Sequence, residues 1–354
     1  MILFFVLFAV AIVVVLQYIT AEKGLDGLDE RHYPSVSATE QDELFDIVVE
    51  FKNRSRMFIP FVRFRERMPA GITPHVAKKY IYVDGKGAAQ VVGTTWLRPR
   101  EALEKRIPVS VEARGRYLLS DLAVYGGDFL GLGENMRTYS GINEIIAYPK
   151  RAELGKLESI FGGFLGEVSV SRFLFEDPVL TLGFREYTGR EPMKMISWTQ
   201  SARSGQLMVK KFDYTLEPAV SVVLNIEGSS GNKELIEEAY SLARTVCEQL
   251  EEQGIKYDFS MNALMSGSMN IYCYVAEGLG SRHFYGILEC MGRATYEAVC
   301  SCAELLRRSV RSSGSAHGII FITPEKDAAV EADAKAAAAK SGGTLLTICA
   351  EEHV

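Results

Sequence analysis

The sequence has no paired cysteine motif, few histidines and no surplus of positive charge, and each absence removes a class of function. Its six cysteines are Cys247, Cys273, Cys290, Cys300, Cys302 and Cys349. None forms a C-x-x-C pair, and Cys300 and Cys302 stand too close for zinc-knuckle spacing. All six fall in the last third, in segments that read as core strands or helices, so they read as buried free thiols of a reducing compartment. The five histidines are scattered singly, with no H-E-x-x-H cluster. Lys and Arg number 39 against 45 Asp and Glu, and a net charge of −6 argues against a nucleic-acid binder. There is no G-x-S-x-G elbow, since Gly228-Ser-Ser-Gly231 has the wrong spacing. The glycine-rich Gly126–Gly133 stretch lacks the Lys-Ser/Thr of a phosphate-binding loop and reads as a turn. No catalytic residue is therefore assigned.

What is present begins with an apolar run. Ile2 to Leu16 is unbroken, and Gln17, Tyr18 and Ile19 extend it. At about 1.5 Å per residue it matches a thin hydrocarbon core. It lacks the charged start and small-residue cleavage site of a signal peptide, so residues 1–20 read as an uncleaved transmembrane helix, with contact to the membrane through residues 2–19. Lys23 and Arg31 follow the run and no cation precedes it, which places the body on the cytoplasmic side of a single-pass cell-membrane protein.

Residues 21–40 are polar and carry Gly24, Gly27 and Pro34, the composition of a linker. Period-2 alternation follows: Phe45, Ile47, Val49 and Phe51 against Asp46, Glu50 and Lys52, then Val62 and Phe64 against Arg63, Arg65 and Arg67. Further short runs at 79–83, 90–96, 107–113, 118–124 and 144–148 predict an antiparallel β-sandwich over residues 41–175. The basic run from Lys52 to Arg67 would suit acidic lipid, but its arginines read rather as the solvated face of a strand.

From residue 216 to 354 the pattern becomes α/β. Ala219–Ile226 is a continuous apolar strand. Leu235, Ile236, Ala239, Leu242, Ala243, Val246 and Leu250 mark one helix face, closed by Gly254. Strands are expected at 257–261, 271–275, 318–323 and 344–349, with helical stretches over 283–311 and 326–340. This alternation predicts a doubly wound sheet.

Between these regions, residues 176–215 hold a segment dense in Arg, Tyr, Trp, Glu and Lys. Arg185, Tyr187, Ile196, Trp198, Ser201, Ala202, Arg203, Leu207 and Val209 stand at the spacing R-x-Y…I-x-W-x-x-S-A-R-x-x-x-L-x-V, with Glu191 and Lys194 between them. This pattern resembles the bacterial domain-of-unknown-function family 58, with Glu191 and Lys194 keeping the charges of its Asp and Arg. Gly189 and Arg190 replace the family's Pro-Gly. Asp128–Leu132 and Ile145–Pro149 resemble a second, weaker motif of that family. The resemblance implies an α/β doubly wound, von Willebrand factor A-like C-terminal domain and no catalytic activity. It also implies an adaptor or scaffold role beside a MoxR-type AAA+ ATPase.

Such domains often hold a divalent cation through D-x-S-x-S after the first strand. Here Asn225-Ile-Glu227-Gly-Ser229 stands in that place, with Glu325 as a further acidic candidate. A carboxylate and hydroxyls suit Mg²⁺, whereas Asn225 loses the charge. Three readings follow: an adaptor for a protein partner, a divalent-cation-dependent binding module, and a hydrolase built from dispersed carboxylates. If the ring of Trp198 is buried, Trp198→Ala costs about 3–5 kcal/mol, and Arg203 is expected to anchor the motif by pairing with Glu186 or Glu191.

Overall fold

The computed structural model describes all residues but 1, 24, 86–87, 128–133, 154–160, 167–176, 190, 214–218, 229–231, 268–271, 313–317 and 354. The chain divides into two compact units. One comprises residues 1–150 with Met291–Arg293, the other residues 151–290 and 294–354.

The first unit opens with helix α1 (Ile2–Lys23). Among the described residues no helix is long and apolar enough to cross a membrane. The single-pass cell-membrane anchor expected over residues 2–19 is corrected on this finding.

Ten strands follow: β1 (Leu28–Pro34), β2 (Ala38–Thr39), β3 (Phe45–Asn53), β4 (Ile59–Arg67), β5 (Ile72–Pro74), β6 (Ile81–Val83), β7 (Ala89–Leu97), β8 (Ala102–Val111), β9 (Gly115–Gly127) and β10 (Glu134–Ala147). They form one sheet of order β1-β3-β8-β5 and a second of order β2-β10-β9-β4-β7-β6. The inward residues of both sheets, including Ile47, Val49 and Phe51 on β3 and Val62 and Phe64 on β4, share one core. Phe51 alone, fully buried, contributes about 1.5–3 kcal/mol. The arginines of β4 face outward: Arg63 bonds Glu134 at 2.6 Å, Arg67 lies 3.6 Å from Asp84, and Arg65 stacks over Tyr125. Residues 28–39, which read as linker, pair into the sheets because Leu28 and His32 turn inward on β1.

The second unit carries β11 (Asp177–Glu186), helix α2 (Trp198–Ser204) and β12 (Met208–Asp213), then β13 (Ala219–Leu224), α3 (Lys233–Glu252), β14 (Lys256–Met261), β15 (Ala263–Met265) and β16 (Cys273–Gly278). It continues with α4 (Ser281–Arg293), β17 (Ala294–Ala298), α5 (Cys302–Ser312), β18 (Gly318–Thr323), α6 (Ala328–Ser341) and β19 (Thr344–Cys349). A five-stranded sheet has the order β16-β14-β13-β18-β19, with β16 antiparallel to its neighbour. Helix α3 buries the predicted face, is capped by the Asn232 side chain accepting from Glu234 N–H at 3.2 Å, and packs on β13, β14 and β18. Helix α6 starts at the Asp327 cap and ends at Gly342, whose φ of 69° is the left-handed C-terminal signal. None of the six cysteines, all described, is in a disulfide; Cys247, Cys273, Cys302 and Cys349 are buried.

These observations also correct the fold class. The molecule is mainly β, spread over several sheets, and the C-terminal region does not form the doubly wound, von Willebrand factor A-like domain implied by the resemblance. Residues 294–298, expected within a helical stretch, form β17 and pair with β15 in a separate two-stranded ribbon, which breaks the β/α alternation. An antiparallel edge strand further departs from the uniformly parallel sheet.

Candidate functional site

At the carboxyl ends of β13 and β14 two asparagines meet. Asn225 and Asn262 are both fully buried, one residue past the end of adjacent strands. Asn262 Nδ2 donates to Asn225 Oδ1 at 2.8 Å and to the Cys300 carbonyl at 3.1 Å, while its Oδ1 accepts from Ile226 N–H at 2.8 Å. Asn225 Oδ1 also accepts from Glu227 N–H at 3.2 Å. Its Nδ2 donates to the Glu227 carbonyl at 3.1 Å and to Thr323 Oγ1 at 3.3 Å. Both amide NH₂ groups and the Asn225 oxygen are thus fully turned on the protein itself.

One oxygen of Glu227 is engaged too: its Oε2 accepts from Cys302 N–H at 2.5 Å and caps the start of α5. The expected ion-site residues Asn225 and Glu227 are therefore close together, and Ser229 lies outside the described residues. Asn225 Oδ1 already takes two N–H groups and has no lone pair left to offer. Among the described residues no group of three or more His, Cys, Asp or Glu could hold a metal ion. Among the described residues this donor set offers few of the free oxygens that Mg²⁺ needs in octahedral array. Sequence reasoning missed Asn262. Its signal was its position, one residue beyond an apolar strand, like Asn225.

The motif segment is a second, separate arrangement. β11 and β12 pair antiparallel, and α2 fills the connection between them. Tyr187 N–H donates to the Leu207 carbonyl and Ser197 N–H to the Met208 carbonyl, both at 2.8 Å. Ser201 Oγ donates to the Ser197 carbonyl and accepts from Met208 N–H, again at 2.8 Å, so one hydroxyl ties α2 to β12. Ile196 and Val209 are buried beneath. At the opposite turn, Glu191 accepts from Arg185 at 2.5 Å and from the Thr188 hydroxyl and N–H at 2.8 and 3.1 Å.

These bonds, the Thr188 hydroxyl foremost and then Arg185, hold the Glu191 carboxyl down at about 2. Because its folded value is depressed, its contribution to the turn is present above the usual carboxylate range and is lost as pH falls through about 2. A carbon-detected NMR titration should place the Glu191 midpoint near 2. In Thr188→Val it should move back toward about 4.3. A wild-type midpoint in the ordinary range would contradict the bonded turn.

The expected anchor is thus corrected: Arg185, and not Arg203, pairs with Glu191. Arg203 and Lys194 are exposed and make no ion pair among the described residues. Trp198 is corrected as well. Its ring is 62 % exposed, so the burial that its predicted 3–5 kcal/mol cost (about the price of a core aromatic) required is missing. Met193 is 69 % exposed, and Phe184 and Leu207 also face solvent. The Asp128–Leu132 turn lies outside the described residues.

No family model matches the chain, and no curated protein matches it. Solved structures with a local likeness include the CARDB domain of a Pyrococcus furiosus protein in complex with di-metal ions, at 13 % identity, covering 34 % of this chain and 89 % of that one, TM-score 0.20. A cohesin module from a Clostridium perfringens family 33 glycoside hydrolase has 10 % identity, covers 34 % and 96 %, and scores 0.23. A PapD-like domain of human CEP192 has 12 % identity, covers 34 % and 84 %, and scores 0.21. Scores this low carry no argument about fold or function, and the family resemblance stays with the motif residues alone.

Proposed function

We propose that this chain is a non-catalytic adaptor that docks a protein partner through the motif segment around Trp198. The observation that carries the reading is an exposed indole on a frame with little freedom. Trp198 stands at the start of α2, and Ser201, Arg185 and Glu191 fix the backbone on either side. Large aromatic and Met side chains beside guanidinium groups are the composition of binding hot spots, and a pre-ordered frame lowers the entropic cost of association. The motif resemblance supplies the partner class, a MoxR-type AAA+ ATPase. The tied-up amides of Asn225 and Asn262 favour binding without a bridging cation.

Trp198→Ala is expected to leave stability within about ±0.5 kcal/mol, as for other surface changes. Affinity capture of the full tagged chain, with Mg²⁺ or chelator, should recover an AAA+ ATPase equally in both arms and about tenfold less with Trp198→Ala, the scale of a single hot-spot residue. Undiminished capture by the variant, or no ATPase in either arm, would sink this reading.

A further inference from the structure

One end of the first unit is built around a buried asparagine that the motif reading does not use. Asn53 is 1 % exposed. Its Nδ2 donates to the Met57 carbonyl at 2.8 Å and to the Arg98 carbonyl at 2.9 Å. Its Oδ1 accepts from Ser55 N–H at 3.0 Å and from the Ser55 hydroxyl at 2.7 Å. Met57 N–H donates to Ser55 Oγ at 3.1 Å, and Arg100 N–H to the Ser55 carbonyl at 3.2 Å. Gly27 closes against the same loop: a Cβ there would lie 2.7 Å from that of Ser55. One amide therefore locks residues 53–58 to residues 96–101, and the geometry is set before any partner arrives.

What this frame displays is apolar and cationic. Met57, Phe58 and Trp96 are 40, 44 and 48 % exposed, far above the level of a packed ring. The Phe58 and Trp96 rings lie 5.9 Å apart, and the Arg98 guanidinium sits 5.5 Å over the Trp96 ring. Of the four arginines on these loops, Arg54 pairs with Asp29. Arg56, Arg98 and Arg100 meet no carboxylate in an ion pair among the described residues. The nearby Glu101 carboxylate is spent on Arg98 N–H at 2.6 Å.

We propose that this surface docks an acidic segment of a partner protein, its apolar side chains settling on Phe58 and Trp96 and its carboxylates on Arg56, Arg98 and Arg100. Charge complementarity chooses the occupant: three uncompensated guanidiniums stand together on a chain of net charge −6. The patch carries one aromatic ring, Trp96, already stacked with an arginine, and the net charge of −6 disfavours a nucleic acid as its occupant. The inference concerns the first unit and stands apart from the Trp198 reading, so either can fail alone.

The test uses fluorescence. The chain has two tryptophans, Trp96 and Trp198, so the full-length Trp198→Phe variant reports Trp96 alone. It is titrated at low salt with a synthetic peptide alternating Glu with Leu and Phe, with the same peptide carrying Gln for Glu, and with oligodeoxythymidine. Saturable change with the Glu peptide is expected, at least tenfold weaker for the Gln peptide and tenfold weaker again when Arg56→Glu and Arg98→Glu are added. Both substitutions are exposed and leave the Asn53 bonds in place, and an unchanged melting temperature checks the fold. No response to the Glu peptide, equal affinity for the Gln peptide, tighter binding of oligodeoxythymidine, or undiminished affinity in the double-Glu variant would each overturn the proposal.

Discussion

Asn262→Ala is expected to cost the second unit about 3–5 kcal/mol, because removing one amide strands several buried partners at roughly 1–3 kcal/mol each. Ile226 N–H and the Cys300 carbonyl lose their bonds to it outright, and Asn225 Oδ1 loses one of two donors. Asn225 and Ile226 gain no water in exchange, since both are buried. Asn262→Asp separates the two halves of the amide. It keeps an acceptor for Ile226 N–H but turns an oxygen onto Asn225 Oδ1, so it should be destabilised too, most at neutral pH where the buried carboxyl is ionised. A urea midpoint that falls while the slope stays constant would report this loss. A midpoint unchanged to within about 0.5 kcal/mol would mean that the network is idle.

His32→Leu should be comparably severe in the first unit, about 3–5 kcal/mol, because it leaves the enclosed Glu66 carboxyl without its bonded partner. His32 Nδ1 lies 3.0 Å from both carboxylate oxygens of Glu66, and both side chains are fully enclosed. Burial raises the Glu66 carboxyl above its ordinary value, and the bond to His32 opposes that rise. The sign follows: a carboxyl with a raised folded value favours folding below the usual carboxylate range and progressively less as pH climbs through that raised value. Without His32 the rise is larger, so the deficit of the variant should shrink on acidification toward about pH 4.3. The double variant His32→Leu with Glu66→Leu should recover most of the loss, because a buried pair replaced by apolar residues is often neutral. Chemical melts across this pH range, run on the single and double variants, give the answer. A single variant as deficient at acid pH as at neutral pH would refute the pairing.

Much of the local structure was legible. Alternation at Phe45–Phe51 and Val62–Phe64 located β3 and β4, because each has one face on a core and one in water. Gly318–Thr323 and Thr344–Cys349 were read to the residue, since β18 and β19 are short, apolar and bounded by breakers. What failed was what depends on contacts distant in sequence. β1 was hidden because an inward His32 replaces the apolar residue that alternation looks for, and its partner Glu66 lies on another sheet. β17 was read as helix because Ala294–Ala298 forms a strand only through β15. At the site, Asn225 and Glu227 stand two residues apart in the sequence, and the structure bonds one to the other. Their bonds were not visible, because Asn262 and Cys302 come from other elements. Trp198 illustrates the same limit: the spacing of a motif does not say which way a ring points.

The Asn53 amide has a consequence for how this protein can vary. It holds its loop through main-chain groups of Met57 and Arg98, together with the small residue Ser55, and its hydrogen bonds involve no side chain at 54, 56 or 58. Shape and displayed chemistry are therefore carried by different positions. Substitutions at 54, 56 and 58 can change the chemistry on display while the loop keeps its path, whereas any change at 53 alters every displayed residue at once.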